Sequence, residues 1–175
     1  GKIVLNTPLS PWPSFSEQEI SAVAEVLASN KVNYWTGDQG RQFELEFARF
    51  SDCKYAVAVA NGTLALDLAL KSLNIGPGDE VIVTPRTFIA SISCVVNCGA
   101  TPVFADVDLN SQNISTETIR PVISDKTKAI ICVHLAGHPC EMDDIMALAN
   151  QHNLYVIKIA PRLMAQHTKA AVSAA

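Results

Sequence analysis

Residues 55–70 read YAVAVANGTLALDLAL, and this stretch decides the fold because it joins two kinds of hydrophobic pattern through a glycine. From Tyr55 to Ala60 the pattern alternates and then becomes apolar, with β-branched valines, which is typical of a core strand. From Leu64 onward the leucines recur at helical spacing. Gly62 is therefore predicted to lie at the N-terminus of a helix that follows a buried strand.

This junction is suited to hold an anion. The first N–H groups of a helix have no partner inside the helix, and the positive end of the helix dipole points outward there. The hydroxyl of Thr63 can add one more donor. The pattern therefore predicts a phosphate site at Gly62 and Thr63. An ordinary turn with an N-cap is the alternative that this fragment alone leaves open.

The rest of the chain alternates between helical and strand-like patterns. Ser16 followed by Glu19 is a capping-box signature that predicts the start of a first helix. A second helix is predicted over about residues 41–50. Further strands are predicted near residues 80–84, 101–104, 128–133 and 154–157, with helices near Leu64, Ile89, Thr116 and Asp143. Apolar strands separated by helices need cover on both faces, so we predict an α/β fold with three layers, α/β/α, and a mostly parallel sheet.

The composition limits the partners that can be expected. The 175 residues carry a formal net charge of −4, with 49 % hydrophobic and 17 % charged residues and a mean hydropathy of +0.20. Such a chain is apolar for a free-standing domain, which predicts a surface that something else covers. No cluster of Lys and Arg occurs, so we expect neither nucleic acid nor a membrane as partner. No long apolar run and no signal-peptide pattern occurs, which predicts a cytoplasmic protein.

Five further motifs follow the glycine junction in a fixed order. They are GPGDEVIV at 76–83, TFIAS at 87–91, GATPVFADVD at 99–108, TKAIICVHLAGHPC at 127–140 and LYVI at 154–157. In order and spacing, the first 157 residues or so resemble sugar aminotransferases of the DegT/DnrJ/EryC1/StrS type, pyridoxal-phosphate enzymes that aminate keto sugars attached to nucleotides. The resemblance implies that residues 1–157 are part of the large domain of a fold-type I enzyme.

The resemblance also implies roles for single residues. In that family the Gly-Thr pair binds the cofactor phosphate, a role that passes to Gly62 and Thr63, and an aromatic residue matched by Phe88 stacks on the pyridine ring. A helix N-terminus suits a dianion and a flat apolar face suits a conjugated ring. The alternative for Phe88 is an ordinary core aromatic. The segment Trp35-Thr36-Gly37 resembles a family loop near the substrate, with a simple turn as its alternative.

The resemblance stops after Ile157. The family continues with Glu-Asp-X-Ala-Gln, whose aspartate pairs with the protonated pyridine nitrogen, whereas this chain reads KIAPR at 158–162. An isoleucine cannot stabilise a pyridinium. The family's Schiff-base lysine comes later than Ala175, and neither Lys158 nor Lys169 is a credible substitute because no neighbouring feature would lower its pKa. We therefore expect no catalytic residue here and only vestigial cofactor-binding residues.

The residues after Ile157 can be explained as a change of reading frame. Codons chosen for 157–175, with a single G restored after the codon of Ile157, translate as Ile-Glu-Asp-Cys-Ala-Gln-Ala-His-Gly-Ala-Ala-Tyr-Lys-Gly-Arg-Ser-Val-Gly-Ser, which resembles the family's continuation. The observed residues dictate the last two bases of each recovered codon. We therefore predict an aberrant tail over 158–175. A genuine C-terminal helix is the alternative, since Ala, Met, Leu, Gln and Lys are good helix formers.

These observations lead to two expectations for function. The first is a remnant of a nucleotide-sugar aminotransferase of polysaccharide or sugar biosynthesis, inactive as it stands and without bound pyridoxal phosphate. The second is a non-catalytic binding or assembly module that keeps weak affinity for phosphate, self-associates, or pairs with an intact homologue. A homodimer is the expected assembly. A Rossmann-type dinucleotide site is disfavoured because no Gly-x-Gly-x-x-Gly follows a strand.

The five cysteines are an odd number without framework spacing, which indicates reduced thiols. Cys132, His134, His138 and Cys140 contain two soft ligands and two imidazoles, so a zinc site is an alternative for this stretch. We favour a strand and its following loop, which the family resemblance also implies, and expect no metal.

Overall fold

The computed structural model describes residues 13–160, and the chain divides after Phe43 into two compact units. The first unit contains α1 (Glu17–Ala28) and the beginning of α2 (Gln39–Phe50). The second unit contains the rest of α2 followed by α3 (Gly62–Ser72), β1 (Glu80–Val83), α4 (Ala90–Asn97), β2 (Thr101–Phe104), α5 (Thr116–Ile119), β3 (Thr127–Val133), α6 (Met142–His152) and β4 (Tyr155–Ile159). Within residues 13–160, no helix is long and apolar enough to cross a lipid bilayer.

The predicted start of the first helix is confirmed. The Ser16 hydroxyl accepts the N–H of Glu19 at 3.3 Å, and the Glu19 carboxylate accepts the N–H of Ser16 at 2.6 Å, which completes a capping box. The loop after α1 contains a turn in which the Asn33 side-chain oxygen accepts the N–H groups of Trp35 and Thr36, both at 3.0 Å. The turn accounts for the local conformation of the Trp-Thr-Gly segment.

Within residues 13–160 the sheet has four parallel strands in the order β2-β1-β3-β4. Strands that follow one another along the chain are connected by segments that contain a helix, α4 after β1, α5 after β2 and α6 after β3. In the centre of the sheet Val83 lies opposite Ile131, and Ile131 lies opposite Ile157. The predicted parallel α/β arrangement is confirmed.

Both faces of the sheet are buried. Val81, Val83 and Ile131 pack with the buried side chains of α3 and α4 on one face. Ile82 and Ile130 pack with those of α5 and α6 on the other. Successive residues of a strand point to opposite faces, so a strand of continuous Val and Ile fills both layers at once. The three-layer prediction is confirmed.

The prediction of a core strand at residues 55–60 is wrong. This segment forms no strand, and its side chains face solvent, with Tyr55 76 % and Val57 68 % exposed. Alternation shows that side chains could point to two sides of a chain, but a strand also needs a neighbour to accept its backbone hydrogen bonds. None of the four strands pairs with this segment. A smaller difference occurs at β4, which continues two residues past the predicted end at Ile157.

Candidate functional site

A cavity of 640 Å³ lies at the carboxyl ends of β1, β3 and β4. Parallel α/β sheets commonly bind ligands at this edge, because the loops that follow the strands converge there. Its walls come from the start of α3, the loop from β1 to α4, the loop after β3 and the end of β4. The lining residues are Gly62, Thr63, Leu66, Arg86, Thr87, Phe88, Ala90, Ser91, Val133, Leu135, Ala136, Ile159 and Ala160. All three residues predicted to hold a cofactor therefore line one cavity.

The N-terminus of α3 presents two backbone N–H groups to this cavity. Asn61 caps the helix: its side-chain oxygen accepts the N–H of Leu64 at 3.0 Å and its carbonyl accepts that of Ala65 at 3.2 Å. The N–H groups of Gly62 and Thr63 have no hydrogen-bond partner within residues 13–160. They are therefore available to an anion, in line with the positive end of the helix dipole. The sequence analysis missed Asn61, although Asn is among the strongest N-cap residues.

Replacing Asn61 by alanine is expected to lower the free energy of unfolding by about 1 kcal/mol, because the Leu64 N–H loses its acceptor. Urea unfolding followed by circular dichroism measures the change. The matched control is Asn61→Ser, which keeps a side-chain acceptor and should stay close to the wild type. Equal stabilities of the alanine and serine variants would show that the cap does not contribute.

Gly62 leaves open space above the helix terminus. A Cβ atom at Gly62 would meet no atom of the described chain within 4 Å, and the φ angle of Gly62 is not positive. Neither backbone conformation nor packing of the described chain therefore demands glycine at this position. Because glycine has no side chain, a ligand can reach the backbone N–H groups at this position.

Phe88 is not the core aromatic that was the alternative for it. Its side chain is 74 % exposed and lines the cavity. The loop that carries it is fixed to α4, since the Phe88 carbonyl accepts the N–H of Ser91 at 3.0 Å and the hydroxyls of Thr87 and Ser91 lie 2.9 Å apart. The ring is thus an exposed apolar surface on an anchored loop, which is a suitable place for a flat ligand.

The charge of the cavity also favours an anion. Among the lining residues that the structure describes, Arg86 is the one charged side chain and none is a carboxylate. Its backbone N–H donates to the Thr84 hydroxyl at 3.1 Å, which fixes the start of the loop after β1. The sequence analysis missed Arg86, because an arginine in a loop carries no signal until the loop is seen to face a cavity.

The end of β4 places an apolar side chain where the family resemblance implied a carboxylate. Ile159 lies opposite Val133 in the sheet, its carbonyl accepts the N–H of His134 at 3.0 Å, and its side chain lines the cavity. The residues present therefore fit the phosphate and the ring face of pyridoxal phosphate. They do not fit its ring nitrogen, which would meet isoleucine instead of aspartate.

Two of the residues considered for zinc, His134 and Cys140, contact each other through a backbone hydrogen bond. No three His, Cys, Asp or Glu side chains within residues 13–160 are arranged to hold a metal ion. His134 is buried, and its Nδ1 atom accepts the backbone N–H of Cys140 at 3.1 Å, so this nitrogen is already occupied. The stretch forms the end of β3 and a loop that leads to α6.

Comparison with known proteins gives one consistent result. A sequence model of the DegT/DnrJ/EryC1/StrS aminotransferase family matches residues 13–166. The spore coat polysaccharide biosynthesis protein SpsC of Bacillus subtilis (strain 168) is 45 % identical over 148 residues, which are 85 % of this chain and 38 % of that protein. GDP-perosamine synthase of Escherichia coli O157:H7 is 45 % identical over 83 % of this chain and 40 % of its own length. The chain thus spans about two fifths of the length of these relatives.

Solved structures agree with the sequence comparison. The aminotransferase from Psychrobacter cryohalolentis superposes with a TM-score of 0.83 at 68 % identity, covering 86 % of this chain and 38 % of that one. The pyridoxal-phosphate form of the sugar aminotransferase Spr1654 from Streptococcus pneumoniae gives a TM-score of 0.79 at 30 % identity, covering 88 % and 42 %. These structures show the fold of this chain, and one of them shows a relative in its pyridoxal-phosphate form.

Proposed function

The chain belongs to the DegT/DnrJ/EryC1/StrS aminotransferase family, and from this premise we propose that its second unit binds the phosphate and ring face of pyridoxal phosphate without transferring an amino group. One observation supports the proposal: two N–H groups at the start of α3, without a partner among residues 13–160, lie at the cavity that Phe88 lines. The binding is weak and reversible, because no lysine is among the described lining residues to attach the cofactor covalently.

The phosphate is bound by the N-terminus of α3. The N–H groups of Gly62 and Thr63 and the Thr63 hydroxyl donate to its oxygens, and the helix dipole adds a favourable field. The Arg86 guanidinium supplies a positive charge from the neighbouring loop. No carboxylate of the described lining opposes the anion.

Phe88 would hold the cofactor ring against its own face, orient it and keep water from one side of it. When bound in an active relative, the cofactor acts as an electron sink that draws electrons from the substrate carbon. In this chain Ile159 offers no negative charge to hold a proton on the ring nitrogen. Amino transfer is therefore not expected, although binding remains.

The names of two relatives support a reaction class for an active form. One is called a GDP-perosamine synthase and another acts in spore coat polysaccharide biosynthesis. We assign to the family ancestor of this chain amino transfer from an amino acid to a keto sugar attached to a nucleotide. In this assignment the product serves a polysaccharide.

Phosphate recognition is tested with pyridoxamine phosphate and pyridoxamine, which lack the aldehyde that would react with surface lysines. Isothermal titration at low salt should show that pyridoxamine phosphate binds at least about tenfold more tightly, since only it engages the start of α3. Equal affinities would overturn the proposed site.

A separate assay with an amino-acid donor and a nucleotide keto sugar should yield no amino sugar. Measurable product would refute the proposal that the chain is inactive.

Replacing Phe88 by alanine is expected to weaken pyridoxamine phosphate binding by about fivefold, because a stacked aromatic pair contributes about 1 kcal/mol. The matched control is Ile89→Ala, which removes an exposed apolar side chain next in sequence but outside the cavity lining. That control should bind like the wild type. If both variants lose affinity equally, the loop conformation rather than the ring is responsible.

We also propose that residues 158–175 arise from a one-base change of reading frame after the codon for Ile157. The support is the family-like sequence recovered in the restored frame, with aspartate at position 159. Sequencing the gene and its transcript from the source tests this directly. Codons that do not give the family motif when one base is restored would refute it.

A second candidate function is a non-catalytic assembly module. It is favoured by the exposed large apolar side chains of the second unit, among them Tyr55, Val57 and the 86 % exposed Leu109. We propose a homodimer. Sedimentation velocity over a range of protein concentrations should show the dimer, and a monomer at all concentrations would contradict it.

A further inference from the structure

Two hydroxyl groups in the wall of the proposed cofactor cavity are not among the groups assigned to the phosphate or to the ring face. Thr87 and Ser91 both line this cavity, and their side-chain oxygens lie 2.9 Å apart. Thr87 is half-buried, whereas Ser91 is only 1 % exposed. The backbone N–H of Ser91 also donates to the carbonyl of Phe88 at 3.0 Å. The pair therefore joins the loop that carries the Phe88 ring to α4, at the wall of the cavity.

This hydroxyl pair has one hydrogen atom more than it uses. Two hydroxyls carry two hydrogens, and their mutual hydrogen bond takes one of them. Within residues 13–160 neither hydroxyl has a second hydrogen-bond partner. An unsatisfied donor costs more in a buried side chain than in a half-buried one, so in the favoured arrangement Ser91 donates to Thr87. The hydrogen of the Thr87 hydroxyl is then available to a ligand in the cavity.

Pyridoxamine phosphate has one suitable acceptor beside its phosphate. Its ring carries a nitrogen, an aminomethyl group and a phenolic oxygen. The ring nitrogen is assigned to the side of Ile159, and a protonated amine has no lone pair with which to accept a hydrogen bond. The phenolic oxygen is ionised in the zwitterion that hydroxypyridines form at neutral pH, and charged acceptors make the stronger hydrogen bonds.

We propose that the Thr87 hydroxyl donates a hydrogen bond to the phenolic oxygen of the bound cofactor ring, and that Ser91 positions this hydroxyl by donating to it. The contact presupposes the proposed binding of the phosphate and the ring face. It adds an interaction at a second edge of the ring. A phosphate held at α3 and a face held by Phe88 leave the ring free to turn in its plane, and a third contact fixes that rotation.

The experiment compares pyridoxamine phosphate with its 3-deoxy analogue, in which hydrogen replaces the phenolic hydroxyl, by isothermal titration of the full chain. The wild type should bind the analogue at least about tenfold more weakly, because Thr87 loses a charged acceptor. The Thr87→Val variant keeps the shape of the side chain without the hydroxyl. Its affinity for pyridoxamine phosphate should fall by about tenfold, while its affinity for the analogue should stay at the wild-type value. Thr87→Ser keeps the hydroxyl and is the matched control, which should bind both ligands like the wild type.

The Ser91→Ala variant tests the positioning role. It should weaken binding of pyridoxamine phosphate and leave that of the analogue unchanged, whereas a loss of local structure would weaken both. Equal losses for the two ligands in Thr87→Val would show that the hydroxyl acts on the loop and would overturn the proposal. If Thr87→Val does not fold, equal affinities of the wild type for the two ligands would overturn it without any variant.

Pyridoxamine, titrated in parallel, separates this contact from the phosphate site. If pyridoxamine phosphate binds more tightly than pyridoxamine but no more tightly than the 3-deoxy analogue, the phosphate site stands and the Thr87 contact is refuted. Tighter binding than both supports the phosphate site and the Thr87 contact together.

Discussion

The Gly62→Asp variant is expected to bind pyridoxamine phosphate about a hundredfold more weakly than the wild type while folding at least as stably. The carboxylate would lie at the N-terminus of α3 beside the cavity, where a Cβ atom would meet no atom of residues 13–160 within 4 Å. Two unit charges about 5 Å apart at an effective dielectric constant of about 20 repel by about 3 kcal/mol, which corresponds to the stated loss. Titration calorimetry at low salt measures it.

This variant is informative because the same carboxylate is expected to weaken ligand binding and to stabilise the helix. A negative charge in the first turn of a helix is favourable, by about 0.5 kcal/mol at an exposed site. The matched control is Gly62→Asn, which has nearly the same shape without the charge and should weaken binding far less. Similar losses for Asp and Asn would indicate a steric effect and would argue against a phosphate at this terminus. Added salt should reduce the difference between the two variants.

Replacing Ile130 or Ile131 by alanine is expected to lower the free energy of unfolding by about 3 kcal/mol in each case. Both side chains are fully buried in the central strand β3, but they lie on opposite faces of the sheet, against different pairs of helices. Each truncation leaves a cavity that rigid neighbours fill only in part. Since small domains are stable by about 5–15 kcal/mol, either variant should unfold at a markedly lower urea concentration.

The pair of variants also tests whether both helical layers are present in solution. The control is Leu109→Ala, which truncates an exposed side chain and should change stability by less than about 0.5 kcal/mol. A large effect at Ile131 together with a small one at Ile130 would show that the layer of α5 and α6 does not cover the sheet. Large effects at both positions support a second unit that folds with two complete faces.

The helix that begins at Gly62 could be predicted because leucine spacing reports directly on which side chains share a face. The segment before it could not, because alternation at Tyr55 and Val57 describes side-chain directions and says nothing about a partner strand. Its exposure became visible only when the order of the four strands was known. Local patterns thus predicted elements well and pairings less well.

The candidate site shows the same division. Gly62, Thr63 and Phe88 could be named in advance through motif resemblance, and the structure brings them to one cavity. Arg86 could not be named, because its place in the site depends on how the loop after β1 folds. The spacing of Cys132, His134 and Cys140 left a zinc site open as an alternative, whereas the structure uses Nδ1 of His134 as the acceptor for the backbone N–H of Cys140.

The pairing of β4 with β3 shows why a shared fold does not establish a shared activity. Lys158 and Ile159 continue the strand by lying opposite Cys132 and Val133, and this pairing uses main-chain groups that every residue other than proline possesses. The backbone pairing therefore does not depend on which side chain stands at position 159, although the chemistry proposed for the site does. Resemblance of fold, however close, cannot distinguish an active member of such a family from an inactive one. That distinction is encoded in a few side chains at the strand ends.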